Sequence, residues 1–417
     1  MLRDVIIIGG GVSGLTAAIY LEEEGLKPLL IEATGRVGGR IKTDHYKGFL
    51  LDRGFQILLT SYPEVKKTLD FDAINLQKYA PGALILGENG EKNIVCDPFR
   101  EPSKIFASAF SSIGSLADKF KILGLTRRLK KKSVASIFEG EDYSTLVYLR
   151  DNDFSEDIIE DFFIPFFSGI FLEPKLKTSR KMFEFLFKMF AEGYATIPEL
   201  GIGQIPIQLK SQLNLTEIKF DERVTHIEGN KVYTNKNECY EAKKIIIASE
   251  AIGLVKHHRK EVNSKYFGTS VMYFSADKSP IKDKYIALNA KKNKIINNIS
   301  VPSNISSAYA PKGKHLIALS TVGLATDSQA PYLAQIKAEM SEWFGEEVHQ
   351  WEHLKTYHIP YSLPSQEKVS YDILPEKMIV GEHIVLAGDY LSNSSINAAM
   401  KSGRLAAEIV VKSIGKM

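Results

Sequence analysis

At 417 residues the chain is long enough for two or three folding units, and its two cysteines, Cys96 and Cys239, exclude a disulfide-stapled miniprotein. Apolar residues make up 44 % and charged residues 25 %, which excludes a disordered chain. Fifty-three Lys and Arg against 50 Asp and Glu leave a charge of +3, too little to argue for a nucleic-acid partner. The longest uncharged apolar stretch, residues 162–172, is interrupted by Pro165 and Gly169 and is too short to span a bilayer. Met1 to Asp4 run directly into an apolar segment, with no room for a signal peptide, so a cytoplasmic location is expected.

In chain order, residues 5–8 form a β-branched run apolar on both faces, as a buried parallel strand requires. Gly9, Gly10, Gly11, Val12, Ser13 and Gly14 follow, then Leu15, Ala18, Ile19 and Leu21 at helical spacing up to a stop at Gly25. A second strand, residues 28–31, delivers Glu32. Strand, glycine loop, helix, strand and acid together predict a dinucleotide site. Gly9 allows the tight turn, Gly11 the approach of a pyrophosphate, and Gly14 the close packing of helix on strand. Val12 and Ser13 begin a helix whose dipole favours phosphate, and Glu32 stands where a carboxylate accepts ribose hydroxyls.

Glu32, Ala33, Thr34, Gly35, Arg36, Val37, Gly38, Gly39 and Arg40 resemble the E-A-x-x-R-x-G-G-R signature of the flavin-dependent amine oxidase superfamily, which includes protoporphyrinogen oxidases and phytoene desaturases. Thr34 stands where many members carry another arginine. The resemblance implies non-covalent FAD, with Arg36 and Arg40 as donors to its oxygens. Gly54, Phe55 and Gln56 follow the signature and are expected near the flavin. At the other end, a strand over residues 383–387, then Gly388, Asp389, Ser395, Ile396, Asn397 and Ala399, is similar to the family's closing segment. There the acid contacts the ribityl or diphosphate and a helix N-terminus faces the ring. Between the ends, residues 224–227 and 231–234 flank Gly229-Asn230 as a hairpin, residues 244–249 form a strand, and Val224 carries over as an adenine contact. The implied fold is α/β: a discontinuous, three-layer, Rossmann-like FAD domain (residues 1–60, 200–262 and 370–417) with an inserted α+β substrate domain (61–199 and 263–369).

Within the first insertion, residues 119–132 hold seven basic side chains; a solvated helix face is the preferred reading, and contact with anionic lipid or an acidic partner the alternative. Residues 154–190 are rich in phenylalanine, mostly for packing, with an apolar tunnel as the functional reading. Lys291, Lys292 and Lys294 are candidates for a flavin-facing lysine, and Tyr357, Tyr361, Tyr371 and Tyr390 for aromatic walls. His349, Glu352 and His353 spell H-x-x-E-H, but the segment reads as extended. Positions four apart in a strand separate by roughly 13 Å, too far to share zinc, so no metal is expected.

No catalytic side chain is assigned. The expected function is FAD-dependent removal of hydride from an apolar small molecule, across a C–C or C–N bond, with the electron acceptor open. A flavin-dependent isomerase and a non-catalytic FAD-binding protein are the alternatives.

Overall fold

The structure is a computed structural model and describes residues 2–96, 100–101, 113–250, 252–260, 265–325 and 330–415. Its first sheet is built from three distant parts of the chain. Leu2–Ile8 pairs in parallel with Leu29–Ile31 on one edge and Cys239–Ile247 on the other, and Cys239–Ile247 pairs in parallel with Ile384–Leu386. The register aligns Leu29, Ile6, Ile245 and Ile384, one residue from each strand. All four are buried, and continuous Ile, Leu and Val in such strands reflect a sheet covered on both faces. Glu217–Lys219 extends the sheet beside Leu29–Ile31. The hairpin Val224–Glu228 and Lys231–Thr234 lies against the first half of Cys239–Ile247.

Helix Val12–Glu23 leaves the first strand through the glycine turn and buries nine of its twelve residues. It packs against the C-terminal helix, Ile396–Ile414. Gly403 permits this approach: a Cβ there would stand 2.2 Å from the Ser13 carbonyl oxygen.

A second, seven-stranded sheet joins Gly82–Leu86 and Lys92–Cys96 to Tyr266–Ala276, Ile286–Asn289, Asn298–Ser300, His315–Val322 and Glu352–Pro364. Segments from both insertions thus share one sheet, with Gly82–Leu86 parallel to Ile286–Asn289. Helices Ile164–Phe171 and Arg180–Glu192 carry the phenylalanine-rich stretch. Phe163, Phe167, Phe171, Phe183 and Phe185 are fully buried and interlock, Phe167 with Phe183 at 4.7 Å between ring centroids. Packing accounts for most of this stretch, as expected.

His349 lies in the 3-10 turn Glu346–Gln350, and His353 lies in strand Glu352–Pro364, where its Nε2 meets Thr356 Oγ1 at 2.9 Å. The two imidazoles share no helix face.

Candidate active site

Gly9 has φ +107°, and a Cβ on it would lie 2.6 Å from the Ala248 carbonyl oxygen. At Gly14 a Cβ would meet the Gly9 carbonyl oxygen at 2.0 Å, so the helix rests directly on the turn. Gly11 differs: its added Cβ would meet only Gly39 Cα, at 3.9 Å, and the space beyond is open. That space belongs to a cavity of about 720 Å³, within the range of cofactor and ligand sites.

Glu32 is buried and lines this cavity. Its carboxylate accepts from the Gly10 N–H at 2.7 Å and from the Thr34 N–H and hydroxyl at 2.9 and 2.7 Å. A carboxylate has about four acceptor positions, so capacity remains for a ribose hydroxyl. Lys42 donates to Thr34 Oγ1 at 3.0 Å, bringing a cation to the place where many members of the family named above carry arginine. Glu32→Ala should weaken FAD binding by roughly 10- to 100-fold, the worth of one charge-assisted hydrogen bond. Fluorescence titration of the apoprotein with FAD measures this.

Arg40 ties the two termini together. Its guanidinium donates to Asp389 at 2.6 Å and to the Ser362 carbonyl at 3.0 Å. Burial alone would lower its pKa, but Asp389 outweighs that and raises it, so Arg40 stays charged. At the same wall, Ser395 caps the C-terminal helix by accepting from the Ala398 N–H at 3.1 Å. The helices that begin at Val12 and Ile396 therefore both start at the cavity, placing two positive dipole ends on it.

Asp52 holds the loop that carries Gly54, Phe55 and Gln56. Its buried carboxylate accepts from the Thr43 hydroxyl at 2.6 Å, the Ile202 N–H at 3.0 Å and the Tyr309 hydroxyl at 2.8 Å, while Tyr273 donates to its carbonyl at 2.8 Å. Burial outweighs these donors and pushes the Asp52 pKa up to about 6. An unfolded Asp titrates near ~3.9, so as pH rises from about 4 to about 6 the unfolded chain releases this proton while the folded chain retains it. This site's contribution to stability should therefore fall by about 3 kcal/mol across that window. Asp52→Asn should remove the decline, as denaturant unfolding at a series of pH values would show.

The remaining wall is apolar, with Phe55, Ile57, Tyr62, Ile170, Leu186 and Phe190 among its residues. Among the described residues the acidic and basic side chains lining the whole cavity are Glu32, Arg40, Glu222, Arg223, Glu250 and Asp389, and no Lys, His or Cys lines it. Burial raises the Tyr62 phenol's pKa, so it remains protonated. Elsewhere on the cavity, Gln56 Oε1, Asn297 Oδ1, Asn298 Nδ2 and Gln366 Oε1 are buried without partners. Such atoms call for a polar ligand or water. Two helix N-termini, a free glycine edge, a buried carboxylate and an arginine fit a flavin dinucleotide.

All the cofactor residues read from the sequence line the cavity except Gly14, Arg36 and Asn397. Gly14 acts through packing. Arg36 turns away because Asp44 attracts it: its guanidinium reaches that carboxylate and the Thr43 carbonyl, and Asp44 also accepts from Arg53 at 2.9 Å and Tyr357 at 2.7 Å. Asn397 faces helix Pro63–Thr68, where its Oδ1 accepts from the Glu64 N–H at 2.9 Å. None of the three candidate lysines lines the cavity. Lys291 pairs with Glu342 at 2.7 Å, Lys292 lies 3.5 Å from Glu160, and Lys294 donates to the Asn289 carbonyl at 2.6 Å. The four candidate tyrosines are also absent from the wall, which Tyr62 provides instead, and of the phenylalanines in residues 154–190 only Phe166 and Phe190 reach it.

Glu222, Asn297, Asn298 and Leu186 were not read as site residues. Polar Asn297 and Asn298 inside the apolar run over residues 295–301 were the one available signal.

The sequence pattern of the family described as flavin containing amine oxidoreductase matches residues 12–411. Protoporphyrinogen oxidase 2 of Arabidopsis thaliana is 28 % identical over 169 residues, covering 40 % of this chain and 32 % of that protein. Coproporphyrinogen III oxidase of Bacillus subtilis is 39 % identical over 79 residues, covering 17 % of each. The matched stretches thus span about a third or less of these curated relatives. Among solved structures, an oxidoreductase from Methanosarcina mazei superposes with TM-score 0.71 at 16 % identity, covering 97 % of this chain and all of the other. Putrescine oxidase bound to putrescine gives 0.71 at 14 % identity, covering 99 % of both chains. At these identities the solved structures share the fold.

Proposed function

Because the chain belongs to the flavin-containing amine oxidoreductase family, we propose that it is an FAD-dependent oxidoreductase that dehydrogenates an apolar small molecule across a C–C or C–N bond. Its cofactor is FAD. A cysteinyl link is disfavoured by position, since Cys96 ends an edge strand of the second sheet and Cys239 is exposed. We assign the first sheet, with its helices, to FAD binding and the second sheet, with the helices of the first insertion, to the substrate.

The observation that carries this reading is the apolar stretch Phe55, Ile57, Tyr62, Ile170, Leu186 and Phe190, which lines the same cavity as the glycine turn and Glu32. Bound FAD supplies a two-electron hydride acceptor. The protein's part is to hold and desolvate. Phe55, Ile170, Leu186 and Phe190 exclude water and offer contact to a hydrophobic substrate. The protonated Tyr62 phenol can donate a hydrogen bond but is no general base at neutral pH. Such a wall offers no carboxylate to a cationic amine, which would lose its hydration without a counter-charge.

The test is anaerobic mixing of the holoprotein with porphyrinogens, carotenoids and small amines while the oxidised flavin band is followed. Stoichiometric bleaching by an apolar candidate, with none by small diamines, is the expected result. Bleaching by diamines alone would overturn the reading. Product formation with no persistent bleaching would point instead to an isomerase.

A further inference from the structure

The basic segment of the first insertion forms helix Leu116–Lys131, and its outward face has two parts. Leu116 and Phe120, one turn apart, are 65 % and 72 % exposed, the highest values for large apolar side chains among the described residues. At 3.6 residues per turn, half-exposed Leu123 and exposed Arg127, Lys130 and Lys131 continue the same arc. The helix's one carboxylate, Asp118, is on the opposite side, where it accepts from the Ser115 and Ser155 hydroxyls at 2.6 and 2.8 Å. The face is thus apolar at its start, cationic at its end and free of acids.

The helix is also firmly mounted. Leu125 and Leu129 are buried beneath it. Lys188 donates to the carbonyls of Leu129 and Lys130 at 3.1 and 3.2 Å, and Arg128 donates to the Tyr148 hydroxyl at 2.8 Å, which donates to Glu184 at 2.7 Å. Lys188 and Glu184 belong to Arg180–Glu192, the helix that sends Met182, Leu186 and Phe190 to the cavity.

We propose that this face docks on an anionic lipid surface, with Leu116 and Phe120 inserted among the acyl chains and Arg127, Lys130 and Lys131 at the headgroups. Charge complementarity favours this occupant: a net charge of only +3 makes the cationic cluster local, and apolar side chains that stand out from a convex helix, rather than line a groove, suit a deformable lipid boundary. The inference goes beyond the proposed reaction and does not depend on it.

The test is sedimentation of the FAD-loaded protein with phosphatidylcholine vesicles, with and without phosphatidylserine. Binding to phosphatidylserine vesicles that weakens with salt is expected. Combined Arg127→Gln, Lys130→Gln and Lys131→Gln should weaken it by roughly 100-fold, about five-fold per cation. Phe120→Ser should weaken it by about tenfold or more. These side chains are exposed, so flavin content and thermal midpoint should stay unchanged, separating docking from folding. Failure of the parent protein to bind phosphatidylserine vesicles, or equal binding by both variants, would overturn the proposal. So would capture by polyglutamate without vesicle binding, which would indicate an acidic protein partner.

Discussion

Gly11→Val is expected to yield folded, colourless protein. The position distinguishes between the two tasks of the glycine turn. At Gly14 any side chain strikes the Gly9 carbonyl at 2.0 Å, so substitution there disrupts the fold. At Gly11 the first added carbon meets nothing nearer than Gly39 Cα at 3.9 Å, so the isopropyl group projects into the cavity and occupies the space in which a diphosphate would lie against the helix N-terminus. Stability should change by about 1 kcal/mol or less, since Gly11 has an extended backbone that valine adopts readily. FAD affinity should fall by at least about 1,000-fold, because overlap with the ligand cannot be relieved by a side-chain rotation. Flavin absorbance after purification, beside circular dichroism and a denaturation curve, separates the outcomes. A yellow Gly11→Val protein would contradict the placement of the diphosphate.

Asp389→Ala should have the largest effect on stability. It leaves the Arg40 guanidinium without its carboxylate at 2.6 Å, keeping only the Ser362 carbonyl. Removing one member of a buried ion pair costs about 3–5 kcal/mol, and Arg40's partial exposure to the cavity places the expectation at about 3 kcal/mol. Arg40→Leu combined with Asp389→Leu should recover a large part of that loss, because no uncompensated charge remains. Urea denaturation of the apo forms tests both statements. A double variant no more stable than Asp389→Ala would show that the pair contributes through something other than its charges.

The N-terminal unit was legible because each residue in it has a local task. A turn, a helix start and an acid at the end of a strand all leave marks at fixed spacing, and Gly9, Gly11 and Glu32 occupy the expected places. The strands of the first sheet were legible for a similar reason, since burial on both faces demands unbroken apolar runs.

Arg36 failed on direction. Sequence placed it beside the glycines, but the carboxylate that draws it away, Asp44, lies on the next strand and also gathers Arg53 and, from more than 300 residues downstream, Tyr357 of strand Glu352–Pro364. Asn397 failed similarly. A helix start presents neighbouring positions to different sides, and only the packing of Pro63–Thr68 decides that Ser395 and Ile396 face the cavity while Asn397 does not. The apolar wall was the least legible part. Leu186 and Phe183 share one helix and similar chemistry, yet one lines the cavity and the other is sealed in the core.

Strand Cys239–Ile247 makes its last parallel pairing with Ile384–Leu386, nearly 140 residues later. During synthesis, that flank of the growing sheet stays open until residues 384–386 leave the ribosome. Non-local pairing of this kind slows folding, and an unpaired apolar ribbon can recruit another nascent chain. Truncation before residue 384 should therefore leave a persistent aggregation-prone species that holdase chaperones retain. The pairing that brings Gly388 and Asp389 to the cavity is also the one that completes the sheet's maturation.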